Sequence, residues 1–118
     1  GRKNLRFASR SRTGKLCQKQ SMNIGVCKLQ LRLPENGTLK GKRQVFRSIS
    51  SRVRHRFNVS IAEVQSNDHH KFLTLGVSCV SNDARHANEV LSNVVEYIQS
   101  FRLDAQMVDY ETEIITGV

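Results

Sequence analysis

The chain has 118 residues, with 19 Lys and Arg against 10 Asp and Glu, for a formal net charge of +9. That length suits one domain with a modest core, and no run approaches the roughly 18 apolar residues that span a bilayer. Cys17, Cys27 and Cys79 form neither a disulfide framework nor a Cys-x-x-Cys pair.

Charge is unevenly divided along the chain. Residues 1–21 hold Arg2, Lys3, Arg6, Arg10, Arg12, Lys15 and Lys19 and no acid, which leaves only +2 for residues 22–118. The stretch has no usable hydrophobic period and reads as a disordered basic tail ahead of a single domain at 22–118. Its preferred origin is a vector-derived or upstream-translated extension, with Met22 as the natural initiator. A basic RNA-binding arm is the second reading. A transit peptide is the third, against which its poor apolar face counts. Most of the global basicity therefore belongs to the tail, which weakens any nucleic-acid inference drawn from it.

The first strand is expected at about Ile24–Leu33. Cys27, Leu29, Leu31 and Leu33 alternate with Lys28, Gln30 and Arg32, a period of two with one face buried. Pro34 ends it, Asn36-Gly37 supplies a turn, and Thr38 is placed to cap a helix. That helix should run from about Leu39 to Phe57. Val45, Phe46, Ile49, Val53 and Phe57 fall within an arc of about 120° and form its core face. Arg43, Arg47 and Arg54 cluster within about 40° and point well away from the core. Asn58 suits a left-handed residue after the helix.

Val59–Val64, rich in β-branched residues, predicts a second strand, and SNDHHK a polar connector. A third strand spans about Phe72–Val80, with Leu73, Leu75, Val77 and Cys79 on one face and Thr74, Gly76 and Ser78 on the other. Cys27 and Cys79 thus read as small buried hydrophobes of a reducing cytosol, and the expected location is cytoplasmic. Ser81 or Asn82 should cap the second helix, with Asp83 in its first turn. Ala87, Val90, Leu91, Val94, Ile98 and Phe101 follow helical spacing along it. The last strand, about Ala105–Thr116, should turn Val108, Tyr110 and Ile114 inward and Asp109, Glu111 and Glu113 outward.

The β-α-β-β-α-β order predicts an α+β, ferredoxin-like sandwich: a four-stranded antiparallel sheet with both helices on one face. The blocks LRLPENGTLKGKRQV, RHRFNVSIAEV and LGVSCVSNDARHANEVL, in that order, resemble the YlxP-like family of small bacterial proteins, a domain of unknown function. The resemblance covers Met22 to the C-terminus. It implies the same fold and no activity. Family members lie in gene clusters with translation-initiation and ribosome-maturation factors, which implies an RNA or ribosome setting. They usually carry a tryptophan before the third strand, where this chain has His70, so that aromatic contact is not carried over.

Two surfaces are candidates for function. Lys40, Gly41, Lys42 and Arg43 combine free N–H groups, the positive end of a helix dipole and three cations into an anion site. With Arg47 and Arg54 they continue into a stripe that would follow phosphates of RNA or a ribosomal subunit. A solvated helix face is the ordinary alternative. The second surface is the open sheet face around Lys28, Gln30 and Arg32. It lacks the aromatics that stack bases and is partly neutralised by the acids of the last strand. It suits a weak homodimer, a protein partner or a small ligand instead. No metal spacing joins His55, His69, His70 and His86, and no nucleophile with its base is recognisable. The expectation is a binding protein without cofactor, membrane partner or enzymatic activity.

Overall fold

The computed structural model describes residues 22–34, 37–65, 71–101 and 105–118. The expectations for the tail, Asn36 and His69-His70 lie outside these residues. The elements are β1 (Asn23–Arg32), α1 (Leu39–Arg56), β2 (Ser60–Glu63), β3 (Phe72–Ser81), α2 (Ala84–Gln99) and β4 (Gln106–Ile115). The strands form one antiparallel sheet in the order β2-β3-β1-β4. This is the expected α+β architecture.

Alternation along β1 and β3 gives the sheet two unlike faces. Cys27, Leu29, Leu31 and Leu33 join Leu73, Leu75, Val77 and Cys79 in a buried layer. Ile49 and Val53 of α1 close it, with Ala87, Leu91, Val94, Val95 and Ile98 of α2. Gly25 is needed for that packing, since a Cβ there would stand 2.8 Å from Leu91 Cδ1 and 3.3 Å from Cys79 Sγ. Among the described residues, no helix covers the opposite face.

At Pro34 the strand gives way to a turn, in which the Gly37 N–H donates to the Pro34 carbonyl at 3.0 Å. Thr38 then caps α1, its hydroxyl accepting from the Gly41 N–H at 3.0 Å. The far end of α1 differs from expectation. Phe57, not Asn58, closes the helix, and it does so in an extended conformation with φ −126°. Its ring is held edge-on to Tyr97 with centroids 5.6 Å apart, and β2 begins three residues later. An extended exit serves that short link better than a left-handed one.

Two further expectations are corrected. Asp83, rather than Ser81 or Asn82, caps α2, accepting from the Arg85 N–H at 2.9 Å. Ser81 is still paired with Asn23 in the sheet, and its hydroxyl receives the Asp83 N–H. In β4 the register shifts between Gln30, opposite Asp109, and Leu31, opposite Met107. Val108 is the extra residue of this bulge and is 44% exposed, while Met107 packs on the core. Tyr110, opposite Leu29 on the core side, is half exposed on this edge strand.

Candidate functional site

Capping and burial divide the cations at the start of α1. The Gly41 N–H is taken by Thr38, so it is not offered to an anion. A Cβ at Gly41 would meet Thr38 Oγ1 at 3.5 Å, an ordinary contact, so the fold does not require glycine there. Lys42 lies on the inner side of the helix. It is 5% exposed, with Nζ 3.3 Å from a carboxylate oxygen of Glu63 on β2. Its charge is spent within the domain, whereas the sequence places it with the outward cations. Lys40 and Arg43 are exposed.

Farther along, Arg47 and Arg54 continue the ridge on the outside of the helix. Arg54 differs in that Nη2 donates to the Ile61 carbonyl at 3.0 Å. Val64 bonds to Thr74 of β3, so the alternation of an antiparallel pair turns the Ile61 carbonyl toward the free edge of β2. Arg54 therefore covers an edge-strand acceptor while keeping its charge near the surface. Lys40, Arg43 and Arg47 make no ion pair among the described residues.

Two arginines that the sequence reading passed over are held by aromatic rings. The Arg52 guanidinium sits 4.7 Å from the Phe101 ring centre, and that of Arg56 sits 4.7 Å from Tyr97. Tyr97 meets Phe101 edge-on, with centroids 4.8 Å apart, so this cluster ties α1 to the end of α2. The signal available in sequence was a pair of arginines four apart on α1 and a pair of aromatics four apart at and just beyond the end of α2. In all, α1 carries seven cations and no acid, and the remainder of residues 22–118 sums to −5.

The open sheet face can be read row by row from the register. Val80, Ile24 and Ile115 form an apolar row. Ser78, Val26 and Glu113 follow, then Gly76, Lys28 and Glu111, then Thr74, Gln30 and Asp109, and finally Phe72, Arg32 and Gln106. The three residues proposed for this face, Lys28, Gln30 and Arg32, thus lie in consecutive rows along β1. Arg32 stands opposite Gln106 rather than an acid. Small residues make the surface concave: Ala62 and Gly76 pair across β2 and β3, and a Cβ on Gly76 would come within 2.9 Å of Val64. The trough there has a volume of about 860 Å³ and runs from Val64 to Glu111 and Glu113. A smaller hollow of about 220 Å³ joins it, formed by Lys28, Gln30, Gln65, Thr74, Asp109 and Glu111.

Neither Cys27 nor Cys79 shows the setting of a nucleophile. Burial pushes Cys27 up, against a hydrogen bond with Thr112, and pushes Cys79 up, against a bond with the backbone of Gly25. His55 and His86 are exposed, and among the described residues no group of three or more His, Cys, Asp or Glu could hold a metal. No helix among them is long and apolar enough to cross a membrane.

Sequence comparison places this geometry in a family. The profile described as "Protein of unknown function (DUF503)" matches residues 24–112, from β1 well into β4. The chain belongs to the DUF503 family. It is similar to the uncharacterized protein YlxP of Bacillus subtilis (strain 168), with 33% identity over 78 residues, covering 66% of this chain and 85% of that protein. The DUF503 match contains the whole of α1, the trough floor and every residue of the smaller hollow.

Proposed function

We propose that this DUF503 protein binds a phosphate-bearing polyanion, structured RNA in a ribosomal setting, through the outer ridge of α1. The observation that carries this reading is a surface helix with seven cations and no acid, on which Lys40, Arg43 and Arg47 stand exposed without a carboxylate partner among the described residues. Residues three and four apart share one side of a helix, so these three form a line. Such a line meets phosphates in sequence and reads no bases, so recognition is by backbone and shape.

Changing Lys40, Arg43 and Arg47 to Gln together tests this. Each real phosphate contact contributes about 0.7–0.9 to the slope of log affinity against log salt. The variant should therefore lose roughly 2–3 from the slope measured for duplex RNA, in the full chain and in residues 22–118 alike, while remaining folded. Equal slopes in parent and variant would exclude this ridge. No binding of residues 22–118 to RNA or ribosomal subunits at low salt would sink the reading. A second reading, a small ligand on the open sheet face, is favoured by the trough.

A further inference from the structure

Thr74 is buried to 7% exposure on the face of the sheet that carries no helix. Its alternation with Leu73 and Leu75 turns its side chain away from the core, into the hollow of about 220 Å³. The hydroxyl makes no hydrogen bond in the described structure. A buried hydroxyl without a partner carries an uncompensated desolvation cost, and here it faces a polar cavity.

Opposite signs divide that cavity. Lys28, Gln30, Gln65 and the Thr74 hydroxyl offer donors on one side. Asp109 and Glu111 offer carboxylates on the other, and neither makes an ion pair among the described residues. Asp109 and Glu111 are two residues apart on β4, so their side chains project from the same face, about 7 Å apart. Thr74 and Asp109 lie two strand spacings apart with Gln30 between them, roughly 10 Å. One small ion cannot bridge that width. A molecule with a cationic group at one end and an anionic group at the other can. Beyond the hollow, Val26, Ala62 and Val64 supply apolar wall for the rest of its body.

We propose that the open sheet face binds a small zwitterion of amino-acid type, its ammonium or guanidinium between Asp109 and Glu111 and its carboxylate at Lys28 and the Thr74 hydroxyl. The buried Thr74 hydroxyl gains a partner, and the two carboxylates gain a counter-charge in addition to Lys28, which stands opposite Glu111. The site is independent of α1, so it stands or falls separately from RNA binding.

Titration of the full chain with L-arginine, followed by amide NMR and calorimetry, tests the assignment. Shifts should map to β1, β3 and β4 around Lys28, Thr74 and Asp109, and leave α1 unmoved. Agmatine, which lacks the carboxylate, should bind about tenfold more weakly, as should L-arginine to Thr74→Val, a near-isosteric change suited to a strand. Asp109→Asn should weaken L-arginine while leaving the amide spectrum folded. The proposal is overturned if arginine, lysine and glutamine all leave the open-face amides unshifted at millimolar concentration. Equal binding of agmatine and arginine, or unchanged affinity in both Thr74→Val and Asp109→Asn, overturns it as well.

Discussion

Lys42 and Glu63 show how one residue's surroundings reverse its meaning. The Lys42 ammonium, at 5% exposure, has a carboxylate of Glu63 3.3 Å away. Removing the carboxylate takes the opposite charge away from a buried cation, whereas removing the ammonium takes it from Glu63, which is a quarter exposed and can be hydrated. Glu63→Ala should therefore destabilise more than Lys42→Met in denaturant unfolding. The reverse order would show that the pair contributes through Glu63's other contacts. The thiols give a second prediction. Folding holds Cys27 and Cys79 protonated, with pKa values raised by burial. The unfolded chain loses those protons first, so their contribution to stability is complete below the ordinary thiol range, about pH 8.5, and is lost as pH rises beyond it. A Cys27→Ala/Cys79→Ala variant should show a shallower fall in thermal midpoint between neutral and alkaline pH than the parent. Parallel profiles would rule this out.

Among the elements, α1 and β2 depend on each other through Arg54. Its bond to the Ile61 carbonyl satisfies an outward acceptor on a strand of only four residues. Arg54→Gln should cost about 0.5–1.5 kcal/mol and speed amide hydrogen exchange in β2, whereas Arg47→Gln should stay within about 0.5 kcal/mol and leave β2 unchanged. Equal exchange in the two variants would mean that Arg54 merely lies beside the strand. This also explains which parts of the fold could be read from sequence. β1, β3 and α2 have one buried side and show it as a clean period. The helix angle alone set Arg54 with Arg43 and Arg47, and no local pattern reveals that β2 turns an acceptor outward at Ile61. The Val108 bulge escaped for a similar reason, because strict alternation assumes an unbroken register and only pairing with Gln30 and Leu31 shows the extra residue. Asp109, Glu111 and Glu113 were read correctly as outward, since the bulge precedes them. The hollow around Thr74 needed three strands in register, so the sequence showed its members without their meeting.

For the whole molecule, the separation of charge matters more than its sum. Residues 22–118 carry only +2, yet α1 alone has seven cations and the remainder sums to −5. Both helices cover one face of the sheet, and the other carries three acids of β4 against Lys28 and Arg32 of β1. The association rate of residues 22–118 with duplex RNA should fall steeply with ionic strength, and the Lys40/Arg43/Arg47→Gln variant should lose most of that dependence. A rate insensitive to salt in the parent would contradict a steering role for α1.

A body with its cations gathered on one helix experiences a torque before it makes any contact. Near a polyanion it rotates during diffusion until α1 leads and the sheet trails. Attraction over a Debye length, about 8 Å at physiological ionic strength, is enough to bias the final approach. A complex formed through α1, as proposed, would turn the open sheet face outward, so the trough of about 860 Å³ would stay open to the solution while the helix is occupied.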